Sequence, residues 1–170
     1  LNEIIDGVLQ MCETLCKLHD KGIHHRDIKP SNIYYYDGRY AFGDFGLVDF
    51  PDNDDFTKSD RGLGAIFTIA PEMKRNPKLA DASKADVFSL AKTLWMFLSG
   101  DEKGFDGVYD YLDQSHSLRY VSRFKEEHLA EIDELLKDAT ENNPDLRPDI
   151  YEFTKRLLLW REIAGDFDKS

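Results

Sequence analysis

Between Ser83 and Leu98 the chain is apolar almost all the way round a helical turn, with Val87, Phe88, Leu90, Leu94, Trp95, Met96 and Leu98 pointing in every direction. A helix with no polar face has to be covered on all sides. The remaining residues must therefore be arranged around this segment. Ser89, Lys92 and Thr93 interrupt the run, and no apolar stretch reaches the ~20 residues of a membrane span. The segment is predicted as a central helix buried in protein rather than in lipid. A chain of 170 residues suits one domain, large enough to hide roughly 68–70% of its unfolded surface.

Other elements follow from periodicity. Ile4, Ile5, Val8, Cys12, Leu15 and Cys16 recur at steps of three and four, predicting a first helix that ends at Gly22. Ile33–Tyr36 and Arg39–Phe42 flank Asp37-Gly38 and predict a β-hairpin. From Gly43 to Ala70 there is little periodicity, which predicts a long loop of the kind that is usually functional. A short helix is expected over Gly104 to Asp113, another over Glu126 to Ala139, and a last one over Asp149 to Ile163, with Pro148 at its start. The end, 164–170, is expected to fray. The chain starts at Leu1 rather than Met, as a piece of something longer would.

Charge and cysteines narrow the function classes. The net charge of −11 repels phosphate backbones and argues against nucleic-acid binding. Cys12 and Cys16 are the two cysteines and lie one helical turn apart on an apolar face. That spacing is compatible with a two-ligand metal site or a redox pair, but buried core thiols are the plainer expectation.

Three clusters carry chemistry: His25-Arg26-Asp27-Ile28-Lys29-Pro30-Ser31-Asn32, then Asp44-Phe45-Gly46 twelve residues beyond Asn32, and later Ala70-Pro71-Glu72. In this order and spacing they resemble the catalytic loop, metal-binding triplet and distal motif of eukaryotic-type Ser/Thr protein kinases. Asp86-Val87-Phe88-Ser89-Leu90-Ala91 resembles the start of that family's central helix, with Ala91 in place of the usual Gly, and Arg147 matches the Arg that pairs with the distal Glu.

The resemblance implies a mainly α chain within an α+β family fold: the C-terminal lobe, a helical bundle with a small β-hairpin near the catalytic loop. It implies ATP and Mg²⁺, with Mn²⁺ as a substitute, and a protein substrate with a Ser or Thr acceptor. Asp27 would accept the hydroxyl proton, and Lys29 would steady the phosphoryl group and favour Ser/Thr acceptors. Asn32 and Asp44 would offer the oxygen ligands that a hard cation takes. Tyr34 falls at the floor of the adenine pocket. His25 and Phe45, beside Gly46, would couple the metal loop to the core. Asp86 would tie down the catalytic loop, and Glu72 would pair with Arg147. The plain alternative for Asp27 and Asp44 is a turn cap. His24 has no role in the motif and reads as a surface or structural residue.

The resemblance spans residues 1–163 but only half of a kinase. The Gly-rich phosphate loop, the strand lysine and its partner Glu are not in the sequence. They are expected elsewhere in the parent chain, and the fragment alone is expected to be inactive. A cytoplasmic location goes with this reading. Ala65 stands where the family has a Thr that bridges the catalytic Asp and Lys, and Thr68 where it has a Tyr. These departures keep a second reading open, a pseudokinase or interaction scaffold. A third, a small-molecule kinase, fits less well because the distal Glu and Arg are present. Arg26 beside Asp27 is the arrangement that goes with loop phosphorylation. Thr57 and Ser59 are the candidate acceptors, and Asp52, Asp54, Asp55 and Asp60 are possible permanent substitutes.

Overall fold

The computed structural model describes residues 1–45 and 65–167, the side chains of 65 and 165–167 excepted. Gly46, Thr57, Ser59 and the Asp52, Asp54, Asp55 and Asp60 cluster lie outside the described residues. The elements run α1 (Asn2–His19), β1 (Ile33–Tyr36), β2 (Arg39–Phe42), α2 (Ala65–Thr68), α3 (Pro71–Arg75), α4 (Ala82–Ser99), α5 (Ala130–Ala139) and α6 (Ile150–Phe167).

Helix α4 is the centre. Asp81 caps its start, its carboxylate accepting from the N–H of Ser83 at 3.0 Å and of Lys84 at 3.2 Å. Gly100 ends it in the left-handed region, φ 75°, and its N–H donates to the Met96 carbonyl. Every residue from Ala85 to Met96 is buried. Helices α1, α5 and α6 all pack on α4, α1 and α5 also pack on α6, and the hairpin lies on α1. The shared core includes Leu15, Ile28, Leu94, Leu135, Phe153 and Trp160. The buried indole N–H groups are satisfied: Trp95 donates to the His116 carbonyl at 2.7 Å and Trp160 to that of His128 at 2.8 Å. No helix among the described residues is long and apolar enough to cross a membrane.

The hairpin turns at Asp37 and Gly38, with φ of 49° and 78°, the two positive values that a type I′ turn needs. Its register pairs Ile33 with Phe42 and Tyr36 with Arg39. Gln10 Oε1 accepts from the Tyr40 N–H at 2.9 Å, and the Tyr40 ring covers Gly7, where an added Cβ would stand 2.8 Å from a ring carbon. Cys12 is fully buried and Cys16 half-buried, both as free thiols. Burial pushes the Cys12 thiol up to about 12, so the core reading of this pair holds.

Several boundaries differ from those predicted. The expected helix over Gly104 to Asp113 does not form: Gly104 and Gly107 adopt φ of 75° and 73°, which a right-handed helix cannot pass through. This segment instead drops Phe105 and Tyr109 into the core. Helix α5 begins at Ala130 rather than Glu126, and α6 continues beyond Ile163 to Phe167, four residues into the segment expected to fray. Within the predicted long loop, Ala65–Thr68 forms a single helical turn.

Candidate active site

The catalytic loop is held from below by α4. Asp86, fully buried, accepts from the N–H of His25 at 2.9 Å and of Arg26 at 2.8 Å. Its Oδ2 also accepts from His19 Nε2 at 2.9 Å. Arg26 itself sits at φ 67°, an uncommon conformation for a non-glycine residue. Two N–H groups fixed on one carboxylate make that bend affordable. The Arg26 guanidinium reaches the Pro77 carbonyl at 3.1 Å, tying the loop to the segment after α3.

His25 is buried, and its tautomer follows from its partners. Nε2 lies 3.1 Å from the Gly43 carbonyl, an acceptor, so Nε2 carries the hydrogen. Nδ1 then accepts from the Asp27 N–H at 3.3 Å. The ring lies against Phe42 and Phe45, with centroid separations of 5.1 and 5.4 Å. Thus the residue two before the candidate base touches the residue after the candidate metal ligand. The sequence resemblance assigns these two rings the role of coupling the metal loop to the core.

Asp27 is 4% exposed. Asn32 Nδ2 donates to its backbone carbonyl at 2.8 Å and to its Oδ2 at 3.0 Å, and Lys29 Nζ lies 3.6 Å from the same Oδ2. Both N–H groups of the Asn32 amide therefore face Asp27, which leaves Oδ1 of Asn32 as the atom suited to a cation. With Oδ2 of Asp27 engaged, Oδ1 is the atom suited to an incoming proton.

The hairpin brings the second cluster alongside. Because Ile33 pairs with Phe42, Asn32 and Gly43 fall opposite each other, and the Gly43 N–H donates to the Asn32 carbonyl at 2.8 Å. Asp44 follows directly, at φ 52°, a region that Asp tolerates better than most residues. Tyr34, just after Asn32, is half exposed, and its ring covers Gly43; a Cβ there would come within 2.2 Å of a ring carbon. Gly43 is thus required by the tyrosine.

The distal motif joins α3 to the segment before α6. Glu72 accepts from Arg147 through both oxygens, at 2.5 and 2.9 Å. The other guanidinium N–H groups reach the carbonyls of Glu141, Lys84 and Asn142, so all five are used. The guanidinium carbon also lies 4.8 Å from the centre of the Phe88 ring. Thr68, in place of the family's Tyr, is buried, and its carbonyl accepts from Ser89 Oγ at 2.5 Å.

Of the residues singled out in the sequence, these contacts join Asp27, Lys29 and Asn32 to one another, Asp86 to the catalytic-loop backbone, and Glu72 to Arg147, while Asp44 follows Gly43 in the chain. Sequence reasoning missed His19, Ser89 and Pro77, which hold the loops around them. His19 carried a signal only in hindsight: it lies near the end of an amphipathic helix whose next residues enter the catalytic loop.

Comparison with known proteins agrees with this geometry. The protein kinase domain family matches residues 2–161. The chain is 31% identical over 147 residues to the serine/threonine-protein kinase PDK1 of Cryptococcus neoformans, a stretch covering 83% of this chain and 12% of that protein. It is 35% identical over 104 residues to a Wee1-like protein kinase of Oryza sativa, covering 59% of this chain and 18% of the other. It is 27% identical over 158 residues to the human receptor-interacting serine/threonine-protein kinase 1, covering 83% and 24% respectively. The chain spans less than three fifths of the length of the curated relatives it matches. With the match running over nearly all of its residues, the chain belongs to the protein kinase domain family, of which it forms a part of the domain.

Proposed function

We propose that this chain supplies the large lobe of a Ser/Thr protein kinase, and that the longer protein phosphorylates Ser or Thr hydroxyls of a protein substrate. The observation that carries the reading is the Asn32–Gly43 pairing, which joins the segment holding Asp27, Lys29 and Asn32 to the residue before Asp44. ATP supplies the transferable phosphoryl group, and Mg²⁺ or Mn²⁺ supplies the charge that offsets its oxygens.

The residues present fit such a group. Asn32 offers an amide oxygen, its N–H groups being engaged by Asp27, and Asp44 offers a carboxylate. Oxygen donors of this kind, few in number, suit a cation that keeps much of its coordination for water and phosphate. Asp27 holds the acceptor hydroxyl and takes its proton at Oδ1. Lys29, already 3.6 Å from Asp27, brings positive charge next to the site of transfer. Tyr34, half exposed on the hairpin, offers a ring face for a purine. Ser/Thr preference is supported by Lys29 and by the names of two relatives. The small lobe, with its phosphate-covering loop, is assigned to the rest of the longer protein, in the cytoplasm.

Nucleotide binding by the longer protein tests the metal assignment. Asp44→Ala should weaken Mg²⁺-dependent ATP binding at least tenfold, an estimate of about 1.4 kcal/mol for one lost charged ligand. Binding of wild-type strength would remove Asp44 from the metal site. A scaffold reading is favoured by one feature, Ala65 at the position of the bridging Thr. A folded longer protein that binds partners but transfers no phosphate would support it.

A further inference from the structure

Helix α4 carries three buried polar side chains at intervals of three residues, Asp86, Ser89 and Lys92. Each takes the backbone of a different loop. Asp86 accepts from His25 and Arg26, the two residues before Asp27. Ser89 donates to the Thr68 carbonyl in α2, at 2.5 Å. Lys92 Nζ donates to the carbonyls of Phe105 at 2.9 Å and Gly107 at 2.5 Å. A step of three residues along a helix rises about 4.5 Å, so α4 spaces these loops in order from the catalytic loop outward. The second and third loops also meet, because Gly104 lies against Phe67, where a Cβ would stand 3.3 Å from that of Phe67.

Lys92 is the member that packing alone does not explain. Its side chain is 2% exposed, and among the described residues no carboxylate forms an ion pair with it. Burying a charge without compensation is costly, and Met would fill the same volume at no such cost. A methionine, however, cannot grip two carbonyls. The ammonium also lies 3.4 Å from the centre of the Phe105 ring. Two carbonyls and one ring face match its three N–H groups. The Phe105 ring is itself stacked on His116, with centroids 4.6 Å apart and planes 13° from parallel. The whole 104–107 segment is therefore clamped to α4 through Lys92.

We propose that Lys92 is a positioning residue for the acceptor protein: it fixes residues 104–107 against Phe67 and so sets the wall along which the acceptor lies to present its hydroxyl to Asp27. This rests on the phosphotransfer reading above. Two features link that wall to the catalytic loop. The same helix, two steps earlier, holds the catalytic loop through Asp86. The α2 turn that the wall meets leads into Ala70-Pro71-Glu72 and α3, and the Pro77 carbonyl that follows accepts from Arg26, next to Asp27.

The test is steady-state kinetics of the longer protein with ATP and a degenerate Ser/Thr peptide mixture as acceptor, alongside hydrogen exchange of residues 65–68 and 104–107. Lys92→Met should speed exchange in both segments and raise the apparent peptide KM about tenfold, as loss of a charged hydrogen bond implies, with kcat and the ATP KM changing far less. Lys92→Arg, which keeps a cation, should recover part of the peptide affinity. Faster exchange with an unchanged peptide KM overturns the positioning role while leaving the kinase reading intact. Absence of transfer by the wild-type protein removes the kinase reading, and this proposal with it. Should Lys92→Met fail to fold, Phe105→Leu keeps both carbonyls and removes the ring. It should raise the peptide KM in the same direction by less, and an unchanged KM would overturn the proposal.

Discussion

Two buried charges hold this lobe together, and they do so in opposite ways. Beside the active site, the Asp86 carboxylate accepts three hydrogen bonds, two from backbone N–H groups and one from His19. Beyond α4, the Arg147 guanidinium meets a full carboxylate on Glu72 and three backbone carbonyls. The first charge is balanced mainly by dipoles that belong to the loop it holds. The second is balanced by an opposite charge in a rigid fork. The catalytic loop is thus fastened by bonds that form only when its backbone adopts one bend. The distal frame is fastened by side chains whose geometry does not depend on that bend.

The largest effects are expected at the distal pair. Glu72→Ala and Arg147→Ala should each cost ~3–5 kcal/mol in denaturant melts, because each leaves a buried charge unpartnered. The double variant should lose less than the sum. Arg147→Lys should not restore stability, since three donors cannot replace five in this fork. Strictly additive losses would mean that the two side chains are energetically independent.

Asp86→Asn should have a smaller effect on stability and a sharper one on activity. Its Oδ2 serves two donors, His25 N–H and His19 Nε2. An amide turns its N–H groups toward these two donors or, in the flipped orientation, toward the Arg26 N–H that Oδ1 accepts, at a cost of about 1–3 kcal/mol. The slackened loop should lower kcat of the longer protein while its melting changes less than that of the Glu72 or Arg147 variants. Equal destabilisation by all three would erase the contrast between the two regions.

The last effect, the smallest within any single pH unit, concerns pH. Burial lowers the Lys92 ammonium to about 7; Asp106 opposes the shift, and Lys74 on α3 adds to it. His116, stacked on the far side of Phe105, is itself shifted down, mainly by burial. From about pH 7 upward the unfolded chain holds a proton that folded Lys92 lacks, so stability should rise with pH towards the ordinary lysine range. It should be lost again as pH falls through the folded value. The slope contributed is at most about 1.4 kcal/mol per pH unit. Lys92→Met should flatten that part of the stability profile, and an unchanged profile would show that Lys92 does not titrate there.

The same contrast governs what was legible in the sequence. The hairpin and α4 emerged within a residue of their observed limits, because Asp37-Gly38 dictates a turn and an all-round apolar run has only one place to go. Asp27, Asn32, Asp44, Asp86, Glu72 and Arg147 were legible as motifs. Their supports were not: His19 reaches the Asp86 carboxylate and Ser89 the Thr68 carbonyl, partners 67 and 21 residues away in the chain, and such long-range bonds leave no trace in residue spacing. The 104–113 segment misled because the left-handed conformation of Gly104 and Gly107, which forbids a helix there, leaves no mark in the sequence beyond the glycines themselves. Lys92 looked like an interruption of an apolar run, and its two carbonyl partners became visible only once that segment was folded.

The assignment of the catalytic centre is tested most directly by the initial rate of phosphoryl transfer from ATP to Ser/Thr peptides by the longer protein, compared with its Asp27→Ala variant. The wild type should phosphorylate Ser or Thr, and the variant should be slower by roughly 10²–10⁴ with an essentially unchanged melting temperature. Transfer by Asp27→Ala at the wild-type rate would contradict the assignment.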